Sequence, residues 1–199
     1  MSTTARHRHA TSPRTTASRA RLFTAAMDLV GDVGPDKVTV DEIAAAAGVA
    51  KGTVYYQFGS KNELIRGLID HGYSVMRDEL LEPASAPDPM EAIEGMIRET
   101  LDFLDEYGSF AKLWHSEMWL VESPWGEQLR QMRREILALI CQSLARLGAS
   151  RSGIRPEVFA ITLFGAAYIT GMDAKLGNDE IPTEDRVAAL MAIVRGYLS

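Results

Sequence analysis

The chain has 199 residues, 46% of them hydrophobic and 24% charged, the proportions of a globular protein with room for one sizeable core or a small module joined to a larger one. Its single cysteine, Cys141, excludes a disulfide framework within the chain and fits a reducing compartment; in the apolar run "ILALICQSL" it reads as a small buried hydrophobe, not a catalytic thiol. The net charge of −6 argues against a nonspecific DNA coat, yet residues 1–66 hold nine Lys/Arg against six Asp/Glu while residues 67–199 hold 12 against 21, so a basic head precedes an acidic body.

In chain order, "MSTTARHRHATSPR" is basic and polar and lacks the apolar segment of a signal peptide. The longest uncharged run, 158–172, has fifteen residues and is too short to cross a bilayer, so a cytoplasmic protein without membrane contact is expected. A first helix is predicted over about 15–33, where Leu22, Phe23, Ala26, Leu29, Val30 and Val33 share one face until Gly34-Pro35 stops it. "TVDE" opens a second, with Thr39 as cap and Glu42 reaching back, and Gly48 closes it. A third covers about 51–57. "SKNE" opens a fourth over about 60–81, capped by Ser60. After the proline-rich loop 82–89, Asp88 caps a fifth that runs to Tyr107-Gly108, and a sixth covers about 109–121. A seventh is predicted from a Ser123 cap to Leu147-Gly148, an eighth over about 156–175 and a ninth over about 184–198. No alternating run is long enough for a sheet, so the fold class is all-α with about nine helices.

The second and third helices are separated only by "GVA", the layout of a helix-turn-helix. Ala44 is small enough for a close crossing, Gly48 makes the turn, and Val54 and Phe58 point inward. Lys51, Thr53, Tyr55 and Tyr56 then spread over the other faces. Adjacent residues on a helix point about 100° apart, so the two tyrosines cannot both enter one core. A recognition helix in the major groove explains them: a rigid ring meets sugar and thymine methyl, and a hydroxyl meets phosphate. Lys51 adds charge at the helix start, Gly52 allows close backbone approach, and Lys61 follows the Ser60 cap, where helix-terminal amides also favour an anion. The arginines of the N-terminal segment, Arg14 among them, either reach the DNA backbone or minor groove or stay solvated. "RHRH" makes a poor metal site.

The stretch "TVDEIAAAAGVAKGTVYYQFGSKNEL" resembles the DNA-binding signature of the TetR family of bacterial transcription regulators, over about residues 17–66. The remainder matches only in helical layout. The resemblance implies an all-helical homodimer, with an N-terminal head on a palindromic double-stranded operator and a C-terminal body that binds a small ligand and thereby releases the DNA. Residues 1–14 would then be a flexible basic tail, 15–60 the helix-turn-helix domain, and 61–199 the ligand-binding and dimerisation domain, with the helix at 60–81 as connector. The family's contact positions fall on Thr39, Lys51, Thr53, Tyr55, Tyr56 and Lys61, and Gln57 stands where some members carry a phosphate-contacting histidine. Ala50 departs from the family's frequent serine; without a side-chain cap the third helix loses on the order of 1 kcal/mol locally.

In the body, "FAKLWHSEMWLVESPW" packs three tryptophans into 16 residues, the kind of side chains that line small-molecule pockets. Trp114/Met118 and His115/Trp119 form two neighbouring stripes, one of them expected to face a cavity. The candidate ligand-binding residues are Met76, Met96, Phe103, Trp114, Met118, Trp119, Phe164 and Tyr168, for a mostly apolar effector. The eighth helix is apolar on all sides and must be covered on both faces. With the ninth it is expected to form a two-fold bundle through Phe159, Leu163, Ala166, Ala167, Val187, Leu190, Met191 and Val194. Arg130, Arg133 and Arg134 read as a solvated face. No metal spacing, phosphate loop or nucleophile–base pattern supports an enzyme, and no cofactor is expected. The leading function is a repressor; an activator, or a regulator without a small-molecule inducer, is the alternative in the same class.

Overall fold

The computed structural model describes residues 13–148, 153–174 and 181–199, with side chains from Leu22 onward. Among them are nine α-helices and no strand: α1 (Pro13–Val33), α2 (Val40–Ala46), α3 (Lys51–Phe58), α4 (Lys61–Ala84), α5 (Pro89–Glu106), α6 (Gly108–Met118), α7 (Gly126–Arg146), α8 (Pro156–Asp173) and α9 (Thr183–Leu198). The tail arginines Arg6 and Arg8 lie outside the described residues. Arg14 sits in the first turn of α1, and its side chain also falls outside them. No helix among the described residues is long and apolar enough to cross a membrane.

The chain divides into two compact units, Met1–Leu68 and Ile69–Ser199, and the division falls within α4. In the first unit Leu22, Ala26 and Val30 of α1 are buried, as their helical spacing predicts, while Val33 in the last turn is exposed. Helix α1 packs on α2, and α2 on α3. Val38, Val40, Ile43, Ala44, Ala47 and Val54 join that buried set, with Leu64, Ile65 and Leu68 of α4.

In the second unit α8 packs against α5, α7 and α9, and α9 also rests on α5. The core there joins Ile93, Ile97 and Leu101 of α5 to Leu163 and Ala167 of α8 and Val187, Leu190 and Val194 of α9. Gly171 lets α8 approach α5: a Cβ there would lie 2.5 Å from Leu104 Cδ1. The buried Arg186 ties α9 to α5 through Asp105, at 2.6 and 3.2 Å, and also donates to Thr183 Oγ1 at 2.8 Å.

Two expectations change here. Helix α7 starts at Gly126, not at Ser123-Pro124. Ser123 Oγ accepts from Trp125 N at 3.2 Å within the preceding turn, and Trp125 stands at the N-cap without a side-chain cap bond. The second concerns the surface assigned to a dimer partner. Phe159, Leu163, Ala167, Val187, Leu190, Met191 and Val194 are buried in the chain's own core, and Ala166 packs against it. The seven buried ones are taken up by the chain's own packing and are not free for a second copy, and Ala166 is free only in part. The large apolar residues that α8 and α9 leave exposed are Val158, Ile161, Ile169 and Ile193.

Candidate nucleic-acid interface and ligand cavity

The helix-turn-helix is held by local bonds. Thr39 Oγ1 accepts from Glu42 N at 3.3 Å, and Glu42 Oε2 accepts from Thr39 N and from the Thr39 hydroxyl, both at 2.8 Å. This capping box starts α2 and holds the Glu42 carboxyl below its ordinary range, first through the backbone N–H of Thr39 and then through its hydroxyl. Gly48 has φ +65°, a conformation side-chain-bearing residues rarely adopt, and the turn is closed by Val49 N donating to Ala44 O at 2.9 Å. Ala50 is the N-cap of α3 and makes no side-chain cap bond, as its methyl group requires. Ser60 Oγ accepts from Glu63 N at 3.1 Å at the start of α4.

On α3, Val54 is buried and Phe58 is half-buried against Phe23, ring centroids 5.7 Å apart. The opposite surface carries Lys51, Gly52, Tyr55 and Tyr56, all exposed, with Thr53 half-buried. Tyr56 is 90% exposed, so no contact within the chain accounts for its ring. A Cβ at Gly52 would meet nothing within 4 Å, so no packing within the chain demands a glycine there. Gln57 is half-buried, with an Oε1 that accepts no hydrogen bond among the described residues.

Both lysines have partners that spacing did not reveal. Lys51 Nζ lies 2.7 Å from Asp41 Oδ2, an exposed pair that joins α3 to the first turn of α2 and raises the lysine's pKa, chiefly through the hydrogen bond to Asp41. Lys61 Nζ donates to the carbonyls of Val38 at 2.9 Å and Asp36 at 3.3 Å, pinning the α1–α2 loop. Three donors on an ammonium leave one for a phosphate.

The second unit contains a cavity of about 220 Å³ between α4, α5, α6, α7 and α8. Seven of the eight predicted ligand residues line it: Met76, Phe103, Trp114, Met118, Trp119, Phe164 and Tyr168. Met96 does not; it lines an adjoining space of about 40 Å³ that shares Met76, Thr100 and Phe164 with the larger one. Both stripes of α6 reach the cavity, since His115 and Trp119 line it beside Trp114 and Met118. Its aromatic wall is ordered edge to face, Phe103 on Phe110 at 5.8 Å and Phe110 on Trp114 at 5.7 Å. Trp114 Nε1 points at Met118 Sδ, 3.3 Å away.

The polar lining is sparse. The Thr100 hydroxyl donates to Met96 O at 2.7 Å, and the Tyr168 hydroxyl to Ala111 O at 3.4 Å. His115 stacks on Tyr168 with centroids 5.1 Å apart, and burial pushes the Tyr168 phenol above its ordinary pKa. Arg133 of α7 also lines the cavity, its guanidinium 6.0 Å from the Phe164 ring centroid. Sequence reasoning missed Arg133 because it grouped it with Arg130 and Arg134. Those two pair with Glu127, at 3.3 and 2.9 Å, and Arg133 does not.

A helix-turn-helix with an exposed, tyrosine-bearing second helix, followed by a helical unit with an apolar cavity, defines a DNA-binding regulator. A family model of bacterial regulatory proteins, tetR family, matches residues 22–68, the segment that holds this motif. The chain is 30% identical over 136 residues to the HTH-type transcriptional regulator NfxB of Pseudomonas aeruginosa, a match covering 58% of this chain and 71% of that one. It is 26% identical over 159 residues to the HTH-type transcriptional repressor KstR2 of Rhodococcus jostii, covering 76% of each. Among solved structures, AibR, crystallised with isovaleryl coenzyme A and operator DNA, superposes with a TM-score of 0.72 at 16% identity, over 89% of this chain and 97% of AibR. The chain belongs to the TetR family and is a DNA-binding transcriptional regulator.

Proposed function

We propose that this regulator is a homodimeric repressor, released from a palindromic operator when a hydrophobic small molecule enters the cavity of its second unit. The observation that carries the reading is the cavity itself. It is apolar, walled by Phe103, Phe110 and Trp114, and bounded by Met76 of α4, the helix that begins at Lys61 just after Ser60. A ligand that displaces Met76 acts on a helix that continues into the DNA-binding unit. Two heads must keep a separation of about 34–36 Å to enter successive major grooves of one duplex face. A tenfold loss of operator affinity needs only about 1.4 kcal/mol of difference in ligand binding between two arrangements. AibR, of the same fold, was crystallised with an acyl thioester and operator DNA, which supports a ligand and DNA acting through one such architecture.

The DNA contacts assigned to this reading are Thr39, Lys51, Gly52, Thr53, Tyr55, Tyr56, Gln57, Lys61 and Arg14. The two-fold surface is reassigned to Val158, Ile161, Ile169 and Ile193, the large exposed apolar residues of α8 and α9. Ile161 and Ile169 also border the cavity, so a ligand there reaches the same helix that would meet the second copy.

The test uses fluorescence anisotropy with DNA from upstream of the protein's own gene. Hydrophobic ligands should quench tryptophan emission and release the DNA over the same concentration range. A Cβ at Gly165 would meet nothing within 4 Å and the residue lines the cavity, so Gly165→Leu is expected to take up part of its space. That variant should hold DNA and ignore the ligands. Ligand release that persists in a folded, dimeric Gly165→Leu protein refutes the cavity as the effector site.

A further inference from the structure

We infer that the effector is an amphipathic anion, a linear aliphatic carboxylate whose head is held by Arg133 and whose tail extends past Met76 into the smaller aliphatic space. The inference rests on the cavity being the effector site and adds the chemistry of what fills it. Arg133 is the only permanently charged residue among the described side chains of the cavity wall. It is half-buried and makes no ion pair among the described residues, although its neighbours Arg130 and Arg134 both close on Glu127. Its guanidinium has five donors, and the Phe164 ring, 6.0 Å from its carbon, takes up none of them as a hydrogen-bond acceptor would. The hydroxyls of Thr100 and Tyr168 are already spent on the carbonyls of Met96 and Ala111. Beside the ring nitrogens of His115 and the remaining acceptor capacity of those hydroxyls, Arg133 supplies the one permanent charge among the described side chains of the wall. A half-buried guanidinium beside an apolar wall favours a planar anion that accepts two bonds at once.

The tail follows from the second space. Beyond the three residues it shares with the larger cavity it adds eight, among them Leu80, Ile93, Met96 and Ile136. None of these eight is aromatic or polar, and its volume of about 40 Å³ is a fraction of the main cavity's 220 Å³. A narrow aliphatic extension admits the end of a methylene chain and not a ring system. Met76 stands at the junction, and an unbranched thioether side chain re-packs readily when a chain passes it.

The experiment titrates the full-length protein with decanoate and with 1-decanol, which share a tail and differ in charge, and follows tryptophan fluorescence and DNA release. Wild type should bind decanoate about tenfold or more tightly than decanol, equivalent to about 1.4 kcal/mol. Arg133→Met keeps the bulk of the stem and removes the charge; it should lose that factor for decanoate, hold decanol unchanged, and so abolish the preference. If Arg133→Met does not fold, Arg133→Gln is read in its place. Octanoate and dodecanoate then report the tail: affinity should rise with chain length until the aliphatic space is full. Decanol that binds wild type as tightly as decanoate and releases DNA overturns the anionic head and leaves the cavity reading standing. Binding of neither compound, with no fluorescence change and no release of DNA, overturns this inference, and a panel of aromatic hydrophobes that is equally silent removes the cavity reading as well.

Discussion

Leu190 and Ile193 lie three residues apart on α9, and charging each of them should give opposite results. Leu190 is 1% exposed in the core of the second unit, whereas Ile193 is 40% exposed in the single chain. Leu190→Arg removes leucine packing worth about 2–5 kcal/mol and adds an unpaired buried charge costing several more. Against a total stability of about 5–15 kcal/mol that loss unfolds the unit. Ile193→Arg changes the folding free energy of the isolated chain by no more than about 0.5 kcal/mol, as exposed substitutions do. If α8 and α9 form the two-fold surface, however, each copy loses the burial of the two-fifths of Ile193 that the single chain leaves exposed, about 0.6–1.2 kcal/mol, and two-fold symmetry doubles the loss. A dimer constant should then weaken by about 1.2–2.4 kcal/mol from burial alone, roughly eight- to sixtyfold, and further through the desolvation of two unpaired arginines. Sedimentation analysis paired with circular dichroism reads both effects: Leu190→Arg should lose its helical signal, and Ile193→Arg should keep it and sediment as a monomer. A folded Leu190→Arg protein would contradict the core assignment. A tight Ile193→Arg dimer at micromolar concentration would place the interface elsewhere.

Lys61→Gln should weaken operator binding, lower the slope of log affinity against log salt by about 0.9, and reduce the melting temperature, because its ammonium also holds the carbonyls of Asp36 and Val38. Tyr56→Ala should weaken binding with no change in melting temperature; wild-type affinity in both variants at matched salt would rule out this docking face. At Gly72 a Cβ would fall 2.5 Å from two ring carbons of the buried Phe110, so Gly72→Ala should cost about 1–3 kcal/mol and weaken ligand binding as the ring shifts; denaturant titration showing no loss would mean the ring yields freely. The Tyr73 phenol donates to Glu135 and its pKa is pushed up from 10.0 to about 12, first by burial and then by that hydrogen bond. Its folded-state pKa is thus the higher one, so its contribution is fully present below about pH 10 and is lost as pH rises toward about 12. Urea denaturation across that window should show Tyr73→Phe losing less stability with pH than wild type, and parallel slopes would refute the assignment.

What could be read from the sequence is what local spacing determines. The Thr39–Glu42 box, the Gly48 turn and the inward Val54 involve residues within one or two turns of each other, and the structure places each where its spacing predicts. The aromatic density around Trp114 pointed to the cavity because few other arrangements put so many rings on one short helix. The orientation of α8 was not legible. It is apolar all round, so its periodicity names no face, and the residues assigned to a partner proved to be those packed on α5 and α7. The partners of the lysines were hidden for another reason: Asp41 lies ten residues from Lys51, and the Val38 carbonyl 23 from Lys61, distances only the folded turn closes. Arg133 was misread because charge runs look uniform in sequence. Arg130 and Arg134 are three and seven residues from Glu127, on its helical face, whereas Arg133 at six is turned toward the aromatic side.

Helix α4 is where these observations meet. Its first turns carry the Ser60 cap and Lys61, whose bonds fix the approach to α2, and its later turns present Met76 to both parts of the cavity. Gly72, between them, lets the Phe110 ring pack against the α4 backbone. On the proposed reading, a ligand would therefore need no contact with the candidate DNA-binding residues to act on them. It would need only to favour a different position of Met76 or Phe110, if the roughly four turns of α4 between Met76 and Lys61 transmit the shift while side chains repack. On the other side of the same cavity, Ile161 and Ile169 of α8 are exposed. On the proposed repressor reading, a single occupant would touch both α4 and the helix proposed to meet the second copy, and the separation of two heads would depend on both.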